Sequence, residues 1–427
     1  MSTAKAVVRE ALRQVRTIDP HCHLRPGKPA ADHLADIVLY HHVWAELVSA
    51  GMPEREVSQA GLPHEVRDPC MHPDERVRRC LKWLPLIRST ALGLMLRWIL
   101  QDLYGVGELT AANLDGVLAV AAARGRDPAW QEEVFRERCG IETSISVERH
   151  SEPYSPAMQR AVEDFPANLV SGKQTSRETL TGMESQWGHE LRTADDYRAF
   201  VAARVARRFS ADCRFWGCWV LPCIADRPTS DAEARRILEK AHGDDPLDEN
   251  ELGRFCHFGM ACLLQELAKT PLRTVQLIVG AEVLPPHRSI THWHGNFAGA
   301  LSRIAGRFPE FHFSCSTATD AFTQDLGILA KHVPNLSVAG YWWHTFYPFY
   351  IRKSIETRLD MVPLNKIVGF FSDAYHSEWC YPKLRLVKEV LGDILAERVQ
   401  RGWYTPELAC DIVGKLLYEN PKRIYGL

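Results

Sequence analysis

Short apolar runs, rich in β-branched and aromatic residues, recur along the chain and predict β-strands. Several of these runs are apolar on both faces, which is typical of parallel strands covered by helices. Longer stretches of mixed polarity separate them. We assign strands to residues 17–23, 141–147, 168–171, 213–220, 274–281, 311–316, 336–341 and 366–373.

The stretches between these runs carry apolar residues three and four positions apart, as amphipathic helices do. The clearest helical patterns lie at residues 231–242, 252–269, 321–332 and 407–419. Strands that alternate with helices indicate βα units and a parallel sheet. Eight such units predict an α/β fold, a closed (β/α)8 barrel of the TIM type.

One interval between predicted strands is too long for a single crossover. Residues 30–138 contain several helical patterns, including those at 63–105 and 110–123. We interpret this interval as a helical insertion after the first strand, which caps the barrel mouth. The whole chain, residues 1–427, is then expected to be one barrel domain.

Composition narrows the class of protein without choosing an activity. Of the 427 residues, 46% are hydrophobic and 24% are charged, which is ordinary for a globular protein. There are 51 basic and 53 acidic residues, so no bulk field of either sign would recruit nucleic acid or a membrane surface. Disordered, collagen-like and strongly basic nucleic-acid-binding classes are therefore excluded.

The cysteines and the N-terminal segment bear on the cellular compartment. The twelve cysteines form no CxxC pair, and residues 1–17 lack the apolar core of a secretory signal. The most apolar stretch, residues 81–106, is interrupted by charged side chains and is a poor membrane span. We therefore expect reduced, mostly buried thiols and a cytoplasmic location.

The clearest chemical signal is His21-Cys22-His23 at the end of the first predicted strand. Side chains alternate along a strand, so His21 and His23 point to one face. Two imidazoles that project together can share a divalent metal ion, and barrel enzymes build their sites at strand C-termini. The alternative is that both rings only pack or form hydrogen bonds.

The eighth predicted strand ends at Asp373. In a closed barrel the last strand lies beside the first, which would bring this carboxylate to His21 and His23. It could ligate a metal, accept a proton, or do both. The alternative role is an N-cap for the following helix, for which aspartate is also favoured. Together the two signals favour a metal site.

Further candidates follow the first and seventh predicted strands. His41 and His42 are catalytic candidates, although adjacent side chains on a helix diverge, so we expect at most one of them in the site. Trp342 and Trp343 could form an aromatic wall against the flat side of a sugar or an aromatic ring. His344 follows them and could equally lie in a surface turn.

Two pairs of residues remain as secondary candidates. Arg288 and Arg352 could bind an anionic substrate through their guanidinium groups. His292 and His294 form a second HxH pattern, which follows two prolines and is more typical of a solvent-facing loop. No GxSxG, P-loop or GxGxxG motif is present, so serine-nucleophile, NTPase and dinucleotide-binding classes lack support.

Several segments resemble the amidohydrolase superfamily and, within it, the uronate isomerases. The strongest are Ile-Asp-Pro-His-Cys-His-Leu at residues 18–24, the aspartate that ends the eighth run, and Asn-Pro-Lys-Arg-Ile-Tyr-Gly-Leu at residues 420–427. Further similarity lies at residues 34–37, 41, 44, 275–281, 341–343, 367–374 and 381–382. These segments span nearly the whole chain.

The resemblance implies a metal-dependent barrel enzyme that interconverts the aldose and ketose forms of a hexuronate such as glucuronate or galacturonate. It implies that His21, His23 and Asp373 hold one divalent ion, with zinc expected, and that Asp373 also handles protons. The implied partner is a small sugar acid, neither nucleic acid nor a membrane, and a homo-oligomer is left open. Substrate contacts are assigned to Arg25, Trp342, Trp343, His344, Arg352 and Tyr375.

The chain departs from the family pattern at several polar positions. Ile278 stands where the family usually carries a histidine, and Tyr375 stands where it carries an arginine. These departures keep open a metal-dependent hydrolase that uses metal-activated water and has an altered substrate pocket. A non-catalytic member that retains the barrel is the third alternative.

Overall fold

A computed structural model describes residues 3–59, 66–147, 158–163, 167–170, 174–211, 213–221, 223–284, 288–291 and 297–427. The chain divides into two compact units. The first unit comprises Met1–Met158 and Phe370–Val413, and the second comprises Gln159–Gly369 and Gly414–Leu427. The first histidine pair and Asp373 both belong to the first unit.

Ten strands occur in the described ranges. They are β1 Thr17–Cys22, β2 Ile141–Ser146, β3 Met158–Glu163, β4 Cys213–Val220, β5 Thr274–Val279, β6 Ala281–Leu284, β7 Arg288–Thr291, β8 His312–Thr317, β9 Leu336–Ala339 and β10 Ile367–Val368. Eight of these described strands belong to one sheet, in the order β1-β2-β3-β4-β5-β8-β9-β10. The remaining two, β6 and β7, form an antiparallel hairpin.

Helices fill most of the intervals between the strands. Those of the first unit are α1 Thr3–Gln14, α2 Leu34–Val38, α3 His41–Ser49, α4 Pro73–Cys80, α5 Ala91–Trp98, α6 Leu114–Arg124, α7 Pro128–Glu132, α15 Ser377–Gln400 and α16 Pro406–Gly414, which ends at the first residue of the second unit. Those of the second unit are α8 Ser176–Trp187, α9 Ala194–Arg208, α10 Asp231–Ala241, α11 Glu249–Leu267, α12 Phe297–Arg307, α13 Thr323–His332, α14 Pro348–Met361 and α17 Asn420–Tyr425.

Short turns of other helical types extend several of these helices. Turns of 3-10 helix lie at Glu54–Glu56, Leu84–Ile87, Asp320–Phe322, Trp343–Thr345 and Leu364–Lys366. Turns of π-helix lie at Ile99–Leu103, Glu133–Arg138 and Lys415–Glu419.

In the first unit, β1 pairs with β2 in parallel, and all six residues of β1 are buried. The pairing register shifts between Asp19 and Cys22. Pro20 lies at that shift, and a proline has no N–H to donate to the ladder. Residues 371–374 run along the other side of β1, because His23 N–H donates to Ala374 and Asp373 N–H donates to His21. The last predicted strand thus lies beside the first, as expected.

Apart from Met158, the strands β3-β4-β5-β8-β9-β10 belong to the second unit, and neighbours in this series pair in parallel. All six residues of β5 are buried, which explains its continuous apolar sequence. The C-terminal motif is part of this core. Its Tyr425 hydroxyl accepts a hydrogen bond from Gln276, and its Asn420 amide donates to the carbonyls of Leu364 and Ile367.

Two strand predictions need correction. The prediction of a strand at 168–171 is wrong for its described residues, 168–170, and the third strand is β3. Buried Asn168 donates instead to the carbonyl of Trp219, so this apolar run is a buried loop. The eighth strand is shorter than predicted and ends at Val368. The N–H of the next residue, Gly369, donates to the carbonyl of Leu416 and not to a neighbouring strand.

The predicted state of the thiols is confirmed. All twelve cysteines are free, and nine of them are buried. Within the described ranges, no helix combines the length and the apolar character that crossing a membrane requires.

Candidate metal centre

Two histidines and an aspartate converge in the first unit, where the sequence predicts a metal site. Oδ1 of Asp373 lies 3.3 Å from Nε2 of His21 and 3.2 Å from Nε2 of His23. One potential ligand atom from each residue lies within 4.8 Å of the other two. His21 and Asp373 are buried, whereas the His23 side chain is 15% exposed and leaves the site open on one side.

These separations fit a small divalent ion. Zinc bound tetrahedrally at about 2.0–2.2 Å holds any two of its ligand atoms roughly 3.3 Å apart. Oδ1 of Asp373 has that separation from both imidazole nitrogens. Imidazole and carboxylate are also ligand types that zinc accepts. The residues present therefore could hold a metal ion of this kind.

The charge state of Asp373 suits a ligand. Burial alone would raise the pKa of its carboxyl, but the hydrogen bonds with His21 and His23 outweigh burial and hold the pKa well below its usual value. The carboxylate is therefore ionised at neutral pH, as a metal ligand or a proton acceptor must be.

The backbone at Asp373 adopts an uncommon conformation, with φ of +49°. Non-glycine residues in this left-handed region persist where the surrounding structure holds them, often at functional sites. Here the N–H of Asp373 donates to the His21 carbonyl at 2.9 Å. The hydroxyl of buried Tyr40 donates to the Asp373 carbonyl at 3.0 Å. Both bonds fix the direction in which the carboxylate leaves the backbone.

Lys383 of α15 forms hydrogen bonds with the same segment. Its Nζ donates to the carbonyl of Ser372 at 2.7 Å, to the carbonyl of Asp373 at 3.3 Å and to the Tyr40 hydroxyl at 3.1 Å. The residue is 3% exposed, so water does not compete for these bonds. Burial lowers the pKa of Lys383, although nearby Asp373 opposes that shift. A buried ammonium thus stabilises the turn that presents the metal ligand.

Asp19 supports the site from β1. Its carboxylate accepts hydrogen bonds from the Ser372 N–H at 2.8 Å and the Ser372 hydroxyl at 2.7 Å. The Ser144 hydroxyl of β2 donates to it as well, at 3.2 Å. Burial raises the pKa of Asp19 to about 6, against the effect of these hydrogen bonds. Asp19 thereby connects β1, β2 and the residue before the ligand.

Aromatic rings line one side of the three ligands. The Tyr375 ring stacks on His23, with centroids 4.5 Å apart and planes 6° apart. His41 meets the edge of Tyr375 at 5.3 Å, and burial lowers the pKa of His41 well below its usual value. Its Nδ1 is buried, and no described residue forms a hydrogen bond with it. His41 is therefore a neutral imidazole near the ligands, with an unused polar atom.

The expectation that His41 and His42 diverge is wrong. Their ring centroids are 4.0 Å apart, and each ring also contacts Tyr40. Both residues lie in the first turn of α3, where no preceding helical turn restricts the side chains. The structure thus places both histidines in one aromatic cluster with Tyr40.

Arg25, a predicted substrate contact of the first unit, is engaged in an ion pair. Its Nη2 donates to Asp32 at 2.8 Å, and Lys28 pairs with the same carboxylate. A guanidinium carries five N–H donors, so this pair leaves Arg25 with donors for a second anion.

The other predicted substrate contacts belong to the second unit. Trp342 and Trp343 stack on each other at 4.5 Å, and Trp219 meets both rings edge-on. His344 is half-buried in a 3-10 turn, and burial lowers its pKa. Arg352 lies in α14 and pairs with Glu356 at 3.1 Å. His292 and His294 lie outside the described residues, as does the side chain of Arg288.

Sequence reasoning missed Lys383, Tyr40 and Asp19. Asp19 carried a usable signal, because it precedes His21 and His23 by even steps along a strand and so faces the same side. Lys383 stands between apolar residues of α15, and a lysine in such a position needs buried partners. Tyr40 had no local signal, since its partner Asp373 is 333 positions away.

No protein-family model matches the chain. It is similar, however, to a curated uronate isomerase of Xanthomonas campestris pv. campestris (strain B100). The two are 25% identical over an alignment 458 positions long, which covers 96% of this chain and 93% of the relative. The resemblance to uronate isomerases is thus confirmed over nearly the full length.

Solved structures are similar to this chain in fold. A uronate isomerase from Thermotoga maritima has a TM-score of 0.81 and 15% identity, with 100% of this chain and 98% of that chain covered. A glucuronate isomerase from Caulobacter crescentus has a TM-score of 0.80 and 18% identity, with 99% and 94% covered. At such identities the likeness shows the fold, and it confirms the predicted α/β fold of the TIM type.

Proposed function

We propose that this chain is a metal-dependent aldose–ketose isomerase that acts on a hexuronate or a related sugar acid. The observation that carries the proposal is the convergence of His21, His23 and Asp373 on separations that suit one divalent ion. The full-length similarity to proteins named uronate isomerase supports the reaction class. Zinc is the proposed metal, since two imidazoles and a carboxylate match its ligand preferences.

Aldose–ketose interconversion requires a proton to leave C2 and arrive at C1, while a hydroxyl proton moves between the two oxygens. When bound, the ion would polarise those oxygens and stabilise negative charge on them. Asp373 is ionised, so it can accept a proton at its carboxylate. Its φ of +49° and its bonds to His21, Tyr40 and Lys383 keep that carboxylate in one orientation.

His41 is the proposed second group in proton transfer. Burial keeps its imidazole neutral, so it can accept a proton, and its buried Nδ1 has no hydrogen-bond partner among the described residues. His42 lies against it, with ring centroids 4.0 Å apart, and would help to orient the ring. The Tyr375 ring contacts both His41 and His23, so it would help to fix the orientation of each imidazole.

The substrate's carboxylate would be bound by arginine, for which a bidentate pair is the favoured geometry. Arg25 and Arg352 are the proposed partners. Trp342, Trp343 and His344 are proposed to contact the sugar, whose apolar face suits an indole ring. The partner is thus a small sugar acid, and we propose a cytoplasmic location.

An assay of the purified full chain tests this proposal. Zinc-loaded protein is given glucuronate or galacturonate, and ketose formation is followed over time. We expect turnover that a chelator removes and zinc restores. Exposed His72 provides a matched control, since His72→Ala should behave as the unmodified chain does.

The alternative function is a hydrolase that uses the same metal centre, and a further assay distinguishes it from the isomerase. Ile278 and Tyr375, which depart from the family pattern, could reflect a different substrate. The protein is therefore also given a panel of lactones and amides. No ketose from either uronate, together with zinc-dependent cleavage of a panel member, would overturn the isomerase proposal.

A further inference from the structure

A cavity lies within the first unit, between helices α1 and α15 and the chain around residue 138. Its volume is about 780 Å³. Cavities of roughly 300–1,000 Å³ are the usual size of small-molecule sites. None of the three proposed metal ligands lines it. We call it the Lys388 pocket, and its lining includes Arg9, Leu12, Arg138, Tyr381, Arg385, Lys388 and Gly392.

Two helix faces build this pocket. Tyr381, Arg385, Lys388 and Gly392 follow one another at steps of three and four along α15, so they form one stripe. Helices α1 and α15 approach closely at Gly392, where an added Cβ would lie 2.8 Å from Cδ1 of Leu12. The pocket is thus defined by regular elements of the fold and not by a loose loop.

The charged residues of the lining are mostly basic. Five of them are arginine or lysine, and two are acidic. Both acids already have partners, since Asp393 pairs with Lys5 at 2.7 Å and Glu389 pairs with Arg385 at 2.9 Å. Some lining arginines are also paired, for example Arg138 with Glu133 at 2.8 Å. The decisive residue is therefore the lysine at the centre.

Lys388 has no counter-ion within the described part of the chain. No described carboxylate forms an ion pair with its ammonium, and the neighbouring group is the thiol of Cys139. Burial raises the pKa of Cys139 far above neutrality, so this thiol is uncharged. Burial also lowers the pKa of Lys388 to about 8. A largely buried ammonium without an anion is costly, and a bound anion would remove that cost.

We propose that the Lys388 pocket binds a small molecule that carries a phosphate group, with Lys388 as the central contact. A phosphate group would supply the counter-ion that Lys388 lacks among the described residues, and arginine and lysine are the usual ligands of phosphate. Leu12 and the apolar parts of Tyr381 would contact the rest of the molecule. The lining of this site shares no residue with the proposed metal ligands.

Calorimetric titration of the full chain with glycerol phosphate and with inorganic phosphate tests the proposal. We expect binding to the unmodified chain and at least about tenfold weaker binding to Lys388→Met, because a charged hydrogen bond is lost. Exposed Lys331 provides the control, and Lys331→Met should bind as the unmodified chain does. Phosphate that binds at the metal centre would be unaffected by either change.

Acetylation of the unmodified chain provides a second measurement that needs no variant. Glycerol phosphate should slow the acetylation of Lys388, read by mass spectrometry, and leave that of Lys331 unchanged. The proposal is overturned if neither phosphate binds, if Lys388→Met binds as tightly as the unmodified chain, or if the reactivity of Lys388 does not change. Binding of succinate but of neither phosphate would also overturn it.

Discussion

Replacing Lys383 with methionine removes the ammonium group that donates hydrogen bonds to the backbone carbonyls of Ser372 and Asp373. Methionine fills a similar volume but donates no hydrogen bond. The carbonyl of Ser372 loses its donor at 2.7 Å, whereas the carbonyl of Asp373 keeps its bond from Tyr40. We therefore expect a fold of lower stability and a metal ligand that is less well oriented.

The magnitude follows from the buried carbonyl. Leaving one buried acceptor without a donor costs about 1–3 kcal/mol, and loss of the charged bond would add to this. Removing a desolvated charge offsets part of the cost, so we expect a net loss of about 1–3 kcal/mol. Residues that orient a metal ligand typically change metal affinity by about 10–100-fold, and we expect a loss in that range.

Urea unfolding of the metal-free chain measures the first effect, and zinc titration against a competing chelator measures the second. Lys331→Met is the control, because this lysine is exposed and lies outside both the proposed metal centre and the Lys388 pocket. The control should retain both stability and zinc affinity. Equal urea midpoints and equal zinc affinities for Lys383→Met and the unmodified chain would refute the reasoning.

Three further outcomes are expected. Asp373→Asn should lower kcat on glucuronate by about 10²–10⁴, the usual contribution of a proton-transfer group, and a fall below tenfold would exclude that role. Tyr375→Ala should weaken zinc binding, because the ring stacked on His23 is lost, and Tyr375→Phe should restore it; equal affinities would contradict this. Burial lowers the pKa of His312 to about 4, whereas the unfolded chain has a histidine pKa of about 6.5. As the pH is lowered from about 6.5 to 4, the unfolded chain therefore binds a proton that the folded chain does not, and the free energy of unfolding decreases. The unfolding free energy of His312→Gln should then depend less on pH over this range, and an unchanged slope would count against it.

The ligands could be predicted from sequence because their placement rests on two regular rules. Strand alternation places His21 and His23 on one face, and barrel closure brings the last strand to the first. Asp373 is accordingly hydrogen-bonded to the His21 backbone at 2.9 Å. Both rules act through the backbone and do not depend on details of side-chain packing.

The support around the ligands depends on contacts that no local pattern encodes. Lys383 and Tyr40 meet across 343 positions of sequence, and Lys383 binds backbone carbonyls that every residue has. The strand assigned to residues 168–171 was wrong for a related reason. A short apolar run can be a strand or a buried loop, and Asn168 satisfies the neighbouring carbonyl of Trp219 with its side chain.

Substrate-binding residues are the least predictable part of the site. Arg25 and Arg352 both carry the charge that a sugar acid requires, yet each is paired with a nearby carboxylate at 2.8 and 3.1 Å. Sequence gives the charge of a side chain, whereas its partner follows from the local fold. The KM values of variants at Arg25 and Arg352 would therefore test whether either residue binds the substrate.

Elemental analysis of the purified chain most directly tests the metal centre. The unmodified chain should carry one divalent ion, His21→Ala/His23→Ala should carry none, and the exposed-residue control His72→Ala should match the unmodified chain. A double variant that is folded, shown by an unchanged circular dichroism spectrum, and retains full occupancy would contradict a site built on these histidines.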